Sequence, residues 1–240
     1  QQFPSKRHFD FFLKDFKDIK KVSTYWIAAQ ERINLFNDGT IFLKTHNGLC
    51  KLENNFFTNK NNTKAAIYVV RDPRNVITSL SHHYDMSLEE SFNFLTDKNI
   101  GLINRKIDSS VVTTIGDWSN NYKSWKNLKF SPLLIVKYED LIIDVKKTFL
   151  SILNFLKDFM DIKIEENRIL KTIESCSFDR LAKNEEIKGF NESVYSAKKD
   201  KKLKFFYLGK KNNWKNKNKI GNNFKYSKII ISERLFVSPN

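Results

Sequence analysis

The sequence predicts an α/β fold with a mostly parallel sheet flanked by helices. The first observation is the segment Ala65 to Tyr84, which reads AAIYVVRDPRNVITSLSHHY. Its apolar run is typical of a strand buried on both faces, and the charged turn with a proline ends that strand. The apolar spacing after the turn suits one side of a helix, and Asn75 is the expected N-cap of that helix. The second observation is another apolar run, Leu133 to Val136, which also ends in charged residues. Strand, turn and helix in this order form half of a βαβ unit, from which parallel sheets are built.

Length and composition fit one α/β domain with a real core. The chain has 240 residues, of which 40% are hydrophobic and 14% aromatic, and these values exclude a disordered protein. The formal net charge of +15 implies affinity for an anion, whether nucleotide, nucleic acid, anionic membrane or acidic sugar. No apolar run approaches the roughly 20 residues that span a bilayer, and no signal peptide is visible. Cys50 and Cys176 lack metal-ligand spacing, which favours free thiols in a reducing compartment, and a cytoplasmic protein is therefore expected.

The amino-terminal quarter predicts helices and one short strand. Phenylalanines recur at helical spacing over residues 9–16, and Ser23 to Leu35 has the spacing of a second helix. Ile41 to Leu43 predicts a strand that ends in Lys44-Thr45-His46. The polar stretch from Asn47 to Lys64 predicts a loop with a short helix.

The remaining chain predicts helices around the second strand. Apolar spacing places them at Ser87 to Asp97, Ile115 to Leu128, Phe149 to Phe159 and Ile169 to Ile173. The adjacent His82 and His83 cannot share one helix face, and no carboxylate or cysteine completes a metal set around them. No bound metal is therefore expected.

The turn after the first strand is equipped to bind an anion. A helix start offers free backbone N–H groups and the positive end of a dipole. Arg71 at the strand tip can donate two hydrogen bonds to a phosphate, and the Ser79 hydroxyl on the first turns of the helix could reach the same anion. The alternative is a local ion pair between Arg71 and Asp72 beside a serine without a role, and the turn alone leaves both open.

Lys44 and His46 form a second candidate pair. Residues two apart on an extended segment point the same way, so at the carboxyl end of a strand both would face the same cleft as Arg71. A histidine can take a proton from a hydroxyl near neutral pH, and a lysine can stabilise charge on a transferred group. Taken alone, the pair favours a surface lysine and a capping histidine over a catalytic pair.

The segment VVRDPRNVITS resembles the 3′-phosphate-binding motif of the sulfotransferases that use 3′-phosphoadenosine-5′-phosphosulfate (PAPS). In that family the arginine and the serine eight positions later hold the 3′-phosphate, and Arg71 and Ser79 match both. The tripeptide KTH is similar to the family's tripeptide whose histidine is the catalytic base, which implies His46 as the base and Lys44 beside the sulfuryl group. The resemblance also implies the P-loop NTPase-like sulfotransferase fold.

Two later segments extend the resemblance to the nucleotide. The strand ending in YEDL resembles the family segment whose tyrosine contacts the nucleotide, which implies Tyr138 as a contact. Cys176, Ser177 and Phe178 match a short run that supplies a small polar contact and a phenylalanine stacked on adenine. These residues are implied by the resemblance and not by spacing.

The last informative segment, Lys201 to Lys215, resembles the family loop written RKGxxGDWK. Gly209, Trp214 and Lys215 align, and a glycine permits close approach of backbone to a phosphate. Tyr207 and Leu208 stand where the family has arginine and lysine, and two asparagines, at positions 212 and 213, replace Gly-Asp. That arginine normally assists at the 3′-phosphate, so weaker affinity is expected unless one of the lysines at 204, 210 and 211 substitutes.

The family's amino-terminal strand and PKSGxxW-type loop, which cradles the 5′-phosphosulfate, have only a faint echo in Pro4-Ser5-Lys6. The expectation is an N-terminally truncated sulfotransferase-like domain over residues 1–219, lacking a first βα unit of roughly 30–40 residues. Residues 220–240 are expected to form a divergent tail.

The expected function is sulfuryl transfer from PAPS to a hydroxyl or amine of a small-molecule or glycan acceptor, without a metal. One alternative is a non-catalytic remnant that binds nucleotide weakly or not at all. Another is a basic nucleic-acid-binding protein, although no nucleic-acid motif is present and no such partner is expected. A P-loop kinase would require a GxxxxGK[ST] loop, which the sequence lacks. No pattern specifies the acceptor or the oligomeric state.

Overall fold

The computed structural model describes residues 1–35, 39–99, 101–102, 111–196 and 198–214. Its helices are α1 (Lys6–Phe9), α2 (Ile19–Thr24), α3 (Trp26–Leu35), α4 (Pro73–His83), α5 (Leu88–Thr96), α6 (Trp118–Lys126), α7 (Tyr138–Ile143), α8 (Val145–Lys157), α9 (Glu166–Ser175) and α10 (Phe178–Lys188). Its strands are β1 (Lys51–Leu52), β2 (Asn55–Phe56), β3 (Ala66–Val70), β4 (Gly101–Leu102), β5 (Thr113–Thr114), β6 (Leu133–Lys137), β7 (Tyr195–Ser196) and β8 (Lys201–Lys202). A 3₁₀ turn covers Gly209–Lys211.

The two apolar runs of the sequence are neighbouring strands, and the α/β class is confirmed. Strands β3 and β6 pair in a small parallel sheet, and each leads into a helix. The other strand pairings among the described residues are short and antiparallel, apart from one isolated parallel bridge between Gln2 and Lys44. The prediction of burial on both faces is wrong for β3, since Val70 is buried while the side chain of Val69 is 55% exposed.

The chain divides into two compact units, Gln1–Tyr68 with Thr96–Ile135, and Val69–Leu95 with Val136–Asn240. The first unit contains an aromatic core of buried side chains from helices, hairpin and loops. Its members are Phe3, Phe9, Phe16, Val22, Trp26, Ala29, Phe57, Val111 and Trp125. Trp26 and Phe57 meet edge to face with ring centroids 5.3 Å apart, a favourable aromatic geometry.

The helices of the amino-terminal quarter differ from the prediction. Helix α1 ends at Phe9, and the phenylalanines that follow are held by turns although Phe16 still reaches the core. The predicted helix from Ser23 to Leu35 is two helices, because Tyr25 leaves the helical conformation at φ −110°, ψ 5°. Apolar periodicity does not detect how aromatic side chains pack in a core. We attribute the early end of α1 and the interruption at Tyr25 to that packing.

The predicted strand at Ile41 to Leu43 does not form. Only Lys44 makes an isolated parallel bridge, to Gln2, with the Lys44 N–H donating to the Gln1 carbonyl at 2.7 Å. The Phe42 side chain is 53% exposed, so this segment lacks the burial that stabilises a central strand. The predicted short helix between Asn47 and Lys64 is also wrong, since the β1–β2 hairpin lies there.

The helices predicted at Ser87 to Asp97, Phe149 to Phe159 and Ile169 to Ile173 are found as α5, α8 and α9, and α10 was not predicted. Helix α8 starts at Val145, four residues before its predicted start, because the Asp144 carboxylate accepts the Lys147 N–H at 2.9 Å. Helix α9 likewise extends beyond its predicted core. Among the described residues, no helix has the length and apolar character that a membrane crossing requires. The domain bounds 1–219 stay a prediction, and the tail 220–240 lies outside the described residues.

Candidate functional site

The tip of strand β3 brings together three of the predicted nucleotide-binding residues, all in the second unit. Arg71 follows β3 directly, Ser79 lies on α4, and Tyr138 begins α7 after β6. The Arg71 Nη1 donates to Ser79 Oγ at 3.2 Å, and its Cζ lies 4.3 Å from the centre of the Tyr138 ring. The parallel pairing of β3 and β6 explains this, because both strands end at the same edge of the sheet.

Arg71 is a cation in a partly buried place. Burial lowers the pKa of its guanidinium, and the nearby Tyr138, Glu139 and Asp72 raise it in part. An arginine stays charged through such a shift. Its Nε is buried without a hydrogen-bond partner among the described residues, as is one carboxylate oxygen of Glu139. A buried donor of this kind is rare in structural ion pairs, where the partner satisfies it.

Asp72 does not neutralise Arg71, because it is engaged by the other arginine of the turn. Arg74 holds the Asp72 carboxylate in a two-pronged ion pair, with Nη2 to Oδ2 at 2.6 Å and Nε to Oδ1 at 2.9 Å. The Asp72 N–H donates to Glu139 Oε1 at 3.1 Å, which ties the turn to α7. The local Arg71–Asp72 pair that the sequence left open is therefore absent among the described contacts of both residues.

The cap of helix α4 corrects another prediction. Asp72, and not Asn75, is the N-cap, and Pro73 takes the first helical position, where its fixed φ and missing N–H are tolerated. The Asp72 side chain accepts the Arg74 N–H at 2.9 Å, and its carbonyl accepts the Asn75 N–H at 2.9 Å. The first N–H groups of α4 are engaged within the helix start, so an anion at this turn would have to be bound by side chains.

Asn212 is the site residue that sequence reasoning missed. Its side chain is buried and contacts polar groups of three α4 residues on two successive helical turns. Its Nδ2 donates to the Asn75 carbonyl at 3.1 Å and to Ser79 Oγ at 2.9 Å, and its Oδ1 accepts from the Thr78 hydroxyl. The sequence signal for Asn212 is its position between Gly209 and Trp214, in the loop that resembles RKGxxGDWK. There, Asn212 replaces the second glycine of the family loop.

The same loop is fastened to α4 at a second point. The Trp214 ring stacks on the Arg74 guanidinium, with Cζ 3.7 Å from the ring centre, and the Trp214 N–H donates to Asn75 Oδ1 at 2.9 Å. Such cation–π contacts are stabilising when partly desolvated. Lys215, the other aligned residue, lies outside the described residues.

Tyr207, at the position of the expected arginine, lies flat on His82 near the end of α4. The ring centroids are 3.8 Å apart and the planes differ by 6°. His82 also bonds through Nε2 to the Lys204 carbonyl at 2.7 Å, and the Lys204 ammonium pairs with Glu186 at 2.5 Å. Tyr207 thus stacks on a histidine of α4, and Lys204 forms an ion pair with a glutamate.

Phe178 and Gly209, predicted separately for the nucleotide, are in contact. Gly209 has φ +50°, and a Cβ placed on it would lie 2.9 Å from the Phe178 ring. Phe178 begins α10 and meets Phe206 nearly at right angles, with centroids 6.0 Å apart. Cys176 is exposed at the end of α9, and Ser177 precedes α10 without a side-chain capping bond. Cys176 and Ser177 therefore form the connection between α9 and α10, and Phe178 follows it directly.

Lys44 and His46 belong to the first unit, where the backbone around them is well held. The His46 carbonyl accepts from Asn121 Nδ2 at 3.3 Å. The next residue, Asn47, is buried, accepts the Thr114 N–H at 3.0 Å and receives the Trp125 indole N–H on its carbonyl at 2.9 Å. A shared cleft with Arg71 stays a prediction.

Comparison with known proteins places the chain in a family. The model of the sulfotransferase domain family matches residues 17–229, most of the chain. The chain belongs to the sulfotransferase domain family. A luciferin sulfotransferase of Photinus pyralis is 29% identical over 154 residues, covering 63% of this chain and 39% of that protein. An amine sulfotransferase of Oryctolagus cuniculus is 28% identical over 150 residues, covering 58% of this chain and 47% of that protein. This sulfotransferase domain thus spans less than half the length of these curated relatives.

Among solved structures, a mouse sulfotransferase, SULT7A1, complexed with PAP matches with a TM-score of 0.40 and 17% identity. The match covers 69% of this chain and 55% of the mouse chain.

Within the described ranges of this sulfotransferase domain, no three His, Cys, Asp or Glu side chains cluster as a metal-binding group would require. Near the candidate site, the Asp72 carboxylate pairs with Arg74, and one carboxylate oxygen of Glu139 accepts the Asp72 N–H. Metal-free chemistry stays a prediction.

Gly209→Ala is expected to destabilise this sulfotransferase domain by about 1–3 kcal/mol, because alanine at positive φ is strained and its Cβ would push the Phe178 ring aside. We expect weaker binding of adenosine 3′,5′-bisphosphate as well, measured by calorimetry beside thermal unfolding. Gly189→Ala is the matched control, since Gly189 has φ +71° with open space around it. That control should lose stability and keep its affinity, whereas unchanged affinity in Gly209→Ala would remove Phe178 from the site.

Proposed function

We propose that this chain binds PAPS through Arg71 and Ser79 and transfers the sulfuryl group to a hydroxyl or amine of a small acceptor. Membership of the sulfotransferase domain family supports the sulfuryl transfer. The observation that supports the nucleotide site is the hydrogen bond from Arg71 to Ser79 at 3.2 Å, with the guanidinium stacked on Tyr138. These three side chains give a cation, a hydroxyl and an aromatic face in one place.

The cation and the hydroxyl suit a phosphate monoester. A guanidinium can donate two parallel hydrogen bonds to phosphate oxygens, and these bonds are stronger in a partly buried place because less water screens them. Arg71 is the arginine of the turn whose charge is not taken by Asp72, since Arg74 forms that ion pair. The proposed ligand group is the 3′-phosphate of the nucleotide.

Phe178, Gly209 and the small residues before Phe178 are proposed to hold the adenosine. An aromatic ring offers a stacking face to a purine, and Gly209 leaves that ring in place because it has no Cβ. Cys176 and Ser177 precede Phe178 in the connection between α9 and α10. They are proposed as polar contacts at the edge of the base.

The proposed reaction is an in-line displacement at sulfur. His46 removes the proton of the acceptor hydroxyl or amine, and the acceptor atom forms a new bond to sulfur. The bond from sulfur to the bridging phosphate oxygen breaks, and adenosine 3′,5′-bisphosphate leaves with that electron pair. Lys44 offsets the charge on the sulfuryl oxygens and the bridging oxygen. Positioning and electrostatics supply most of the rate in the related phosphoryl transfers.

The acceptor is proposed to be a small molecule. The two relatives described above act, by their names, on luciferin and on amines, which are small compounds. A glycan acceptor is the alternative that the same chemistry permits. A cytoplasmic location completes the proposal.

Titration with nucleotides by calorimetry tests the proposed site. We expect the 240-residue chain to bind adenosine 3′,5′-bisphosphate at least about tenfold more tightly than adenosine 5′-monophosphate, because only the bisphosphate carries the 3′ group. A nucleic-acid-binding protein would instead show affinity that rises with phosphate number and falls steeply with salt. A folded chain that binds neither nucleotide would support the non-catalytic remnant and contradict the proposal.

A further inference from the structure

We propose that Asn212 is a positioning residue that fixes the Ser79 hydroxyl as a hydrogen-bond donor to the 3′-phosphate. The inference rests on the proposed function, and it assigns to Asn212 the support that Tyr207 and Leu208 do not provide. The evidence is the pattern of hydrogen-bond donors and acceptors around Asn212 and Ser79.

The orientation of the Asn212 amide is determined by its surroundings. The Asn75 carbonyl, 3.1 Å away, can only accept, so the atom facing it must be the NH₂ group. The Asn212 oxygen then faces the Thr78 hydroxyl, whose single hydrogen lies within reach of both this oxygen and the Asn75 carbonyl. The second N–H of the amide points to Ser79 Oγ at 2.9 Å. The side chain is 7% exposed, and every polar atom it carries has a partner on α4.

Ser79 Oγ therefore accepts two hydrogen bonds. One comes from the Asn212 amide, and the other comes from Arg71 Nη1 at 3.2 Å, a group that can never accept. A hydroxyl oxygen has two lone pairs, so both are used and only the O–H hydrogen is left to bond. The described residues offer no acceptor for that hydrogen. Ser79 is only half-buried, so a ligand can reach it.

A hydroxyl that accepts two hydrogen bonds and has its own hydrogen left to donate favours an anionic ligand. Two donors, one of them charged, withdraw electron density from Ser79 Oγ and strengthen its own O–H as a donor. A phosphate oxygen is an acceptor without a hydrogen to offer when ionised, and it matches both the hydroxyl and the Arg71 charge. Without Asn212, the Ser79 hydroxyl could rotate and donate to a backbone carbonyl of α4, as helical serines commonly do.

Two other residues that could give this support make contacts elsewhere. Tyr207 stacks on His82, and the Lys204 ammonium pairs with Glu186. Asn212 reaches Ser79 from the same loop by a neutral contact. Arg71 then supplies the positive charge of the proposed site, and Asn212 sets the orientation of the Ser79 hydroxyl.

The test compares Asn212→Ala and Asn212→Asp with the unaltered chain. The measured quantity is the ratio of the dissociation constant for adenosine 5′-monophosphate to that for adenosine 3′,5′-bisphosphate. We expect Asn212→Ala to lower this ratio about tenfold, since a well-placed bond to a charged group is lost. Asn212→Asp should lower it further, because a carboxylate captures the Ser79 hydrogen and repels the phosphate. Asn213→Asp adds the same charge at the exposed neighbouring residue and should change the ratio less than about twofold.

A double-mutant cycle separates positioning from a structural role. In the Ser79→Ala background, Asn212→Ala should leave the ratio unchanged, whereas a role in folding alone would act equally in both backgrounds. Thermal unfolding and affinity for the monophosphate show whether each variant is folded. Folded Asn212 variants with the ratio of the unaltered chain would overturn this inference and leave the proposed function standing. An unaltered chain without preference for the bisphosphate would overturn the proposed function itself.

Discussion

Arg71→Ala is expected to weaken the binding of adenosine 3′,5′-bisphosphate about 100-fold, equivalent to ~3 kcal/mol, and to leave the binding of adenosine 5′-monophosphate nearly unchanged. The physical reason is that Arg71 supplies the charge for the 3′-phosphate from a partly buried place where water screens it weakly. Asp72 cannot take over or cancel this charge because it is held by Arg74. Calorimetric titration of both nucleotides measures the effect.

Two further variants sharpen this prediction. Arg71→Lys keeps the charge but loses the two-pronged geometry and the stacking on Tyr138, so we expect an intermediate loss. Arg168→Ala removes the same charge from an exposed position on α9 of the same unit and should change affinity less than about twofold. Equal losses in Arg71→Ala and Arg168→Ala would mean that only the overall positive charge attracts the nucleotide, and the 3′-phosphate site would have to be abandoned.

His46→Ala is expected to lower kcat for sulfuryl transfer about 10²- to 10⁴-fold, the usual contribution of a general base. The affinity for adenosine 3′,5′-bisphosphate should stay within about twofold, because His46 is proposed to act on the acceptor and not on the nucleotide. Transfer of radioactive sulfate from PAPS to a panel of small phenols and amines measures kcat. The backbone of His46 is held by its bond from Asn121 and by buried Asn47, so the change should not disturb the local fold.

His83→Asn is the matched control for this prediction. His83 packs on Phe205 and Tyr84 through ring contacts, and its loss should affect stability more than turnover. If His46→Ala retains the turnover of the unaltered chain, another group must take the acceptor proton. If the unaltered chain binds the bisphosphate and transfers no sulfate to any acceptor, the non-catalytic remnant becomes the better description of this chain.

Much of the candidate site was accessible from sequence because its parts are local. Strand β3, the charged turn and helix α4 follow one another without interruption, and Arg71 and Ser79 lie on the same two elements. Apolar periodicity reports strand and helix well where one face packs regularly. The α4 cap was misplaced because Asn75 is also a good N-cap residue, and only the bonds of Asp72 to Arg74 and Asn75 select between them.

Failures of prediction occurred where long-range packing decides the conformation. Residues 41–43 have the composition of a strand, but they form none, and only the next residue, Lys44, makes a parallel bridge, to Gln2, far away in sequence. The helix predicted over residues 9–16 is replaced by turns, and Phe9 and Phe16 both reach a core shared with Trp26 and Phe57. Local patterns carry no information about such partners.

The sequence by itself determined the α/β class, the two central strands, most helix positions and the family resemblance, since these depend on short-range pattern and on motifs with ordered spacing. Only the tertiary structure decided which arginine of the turn forms the ion pair with the Asp72 carboxylate. It also decided that Asn212, more than 130 positions after Ser79, donates a hydrogen bond to that serine. The physical reason is that hydrogen bonds and ion pairs act over about 3 Å in space, and distance along the chain does not limit them.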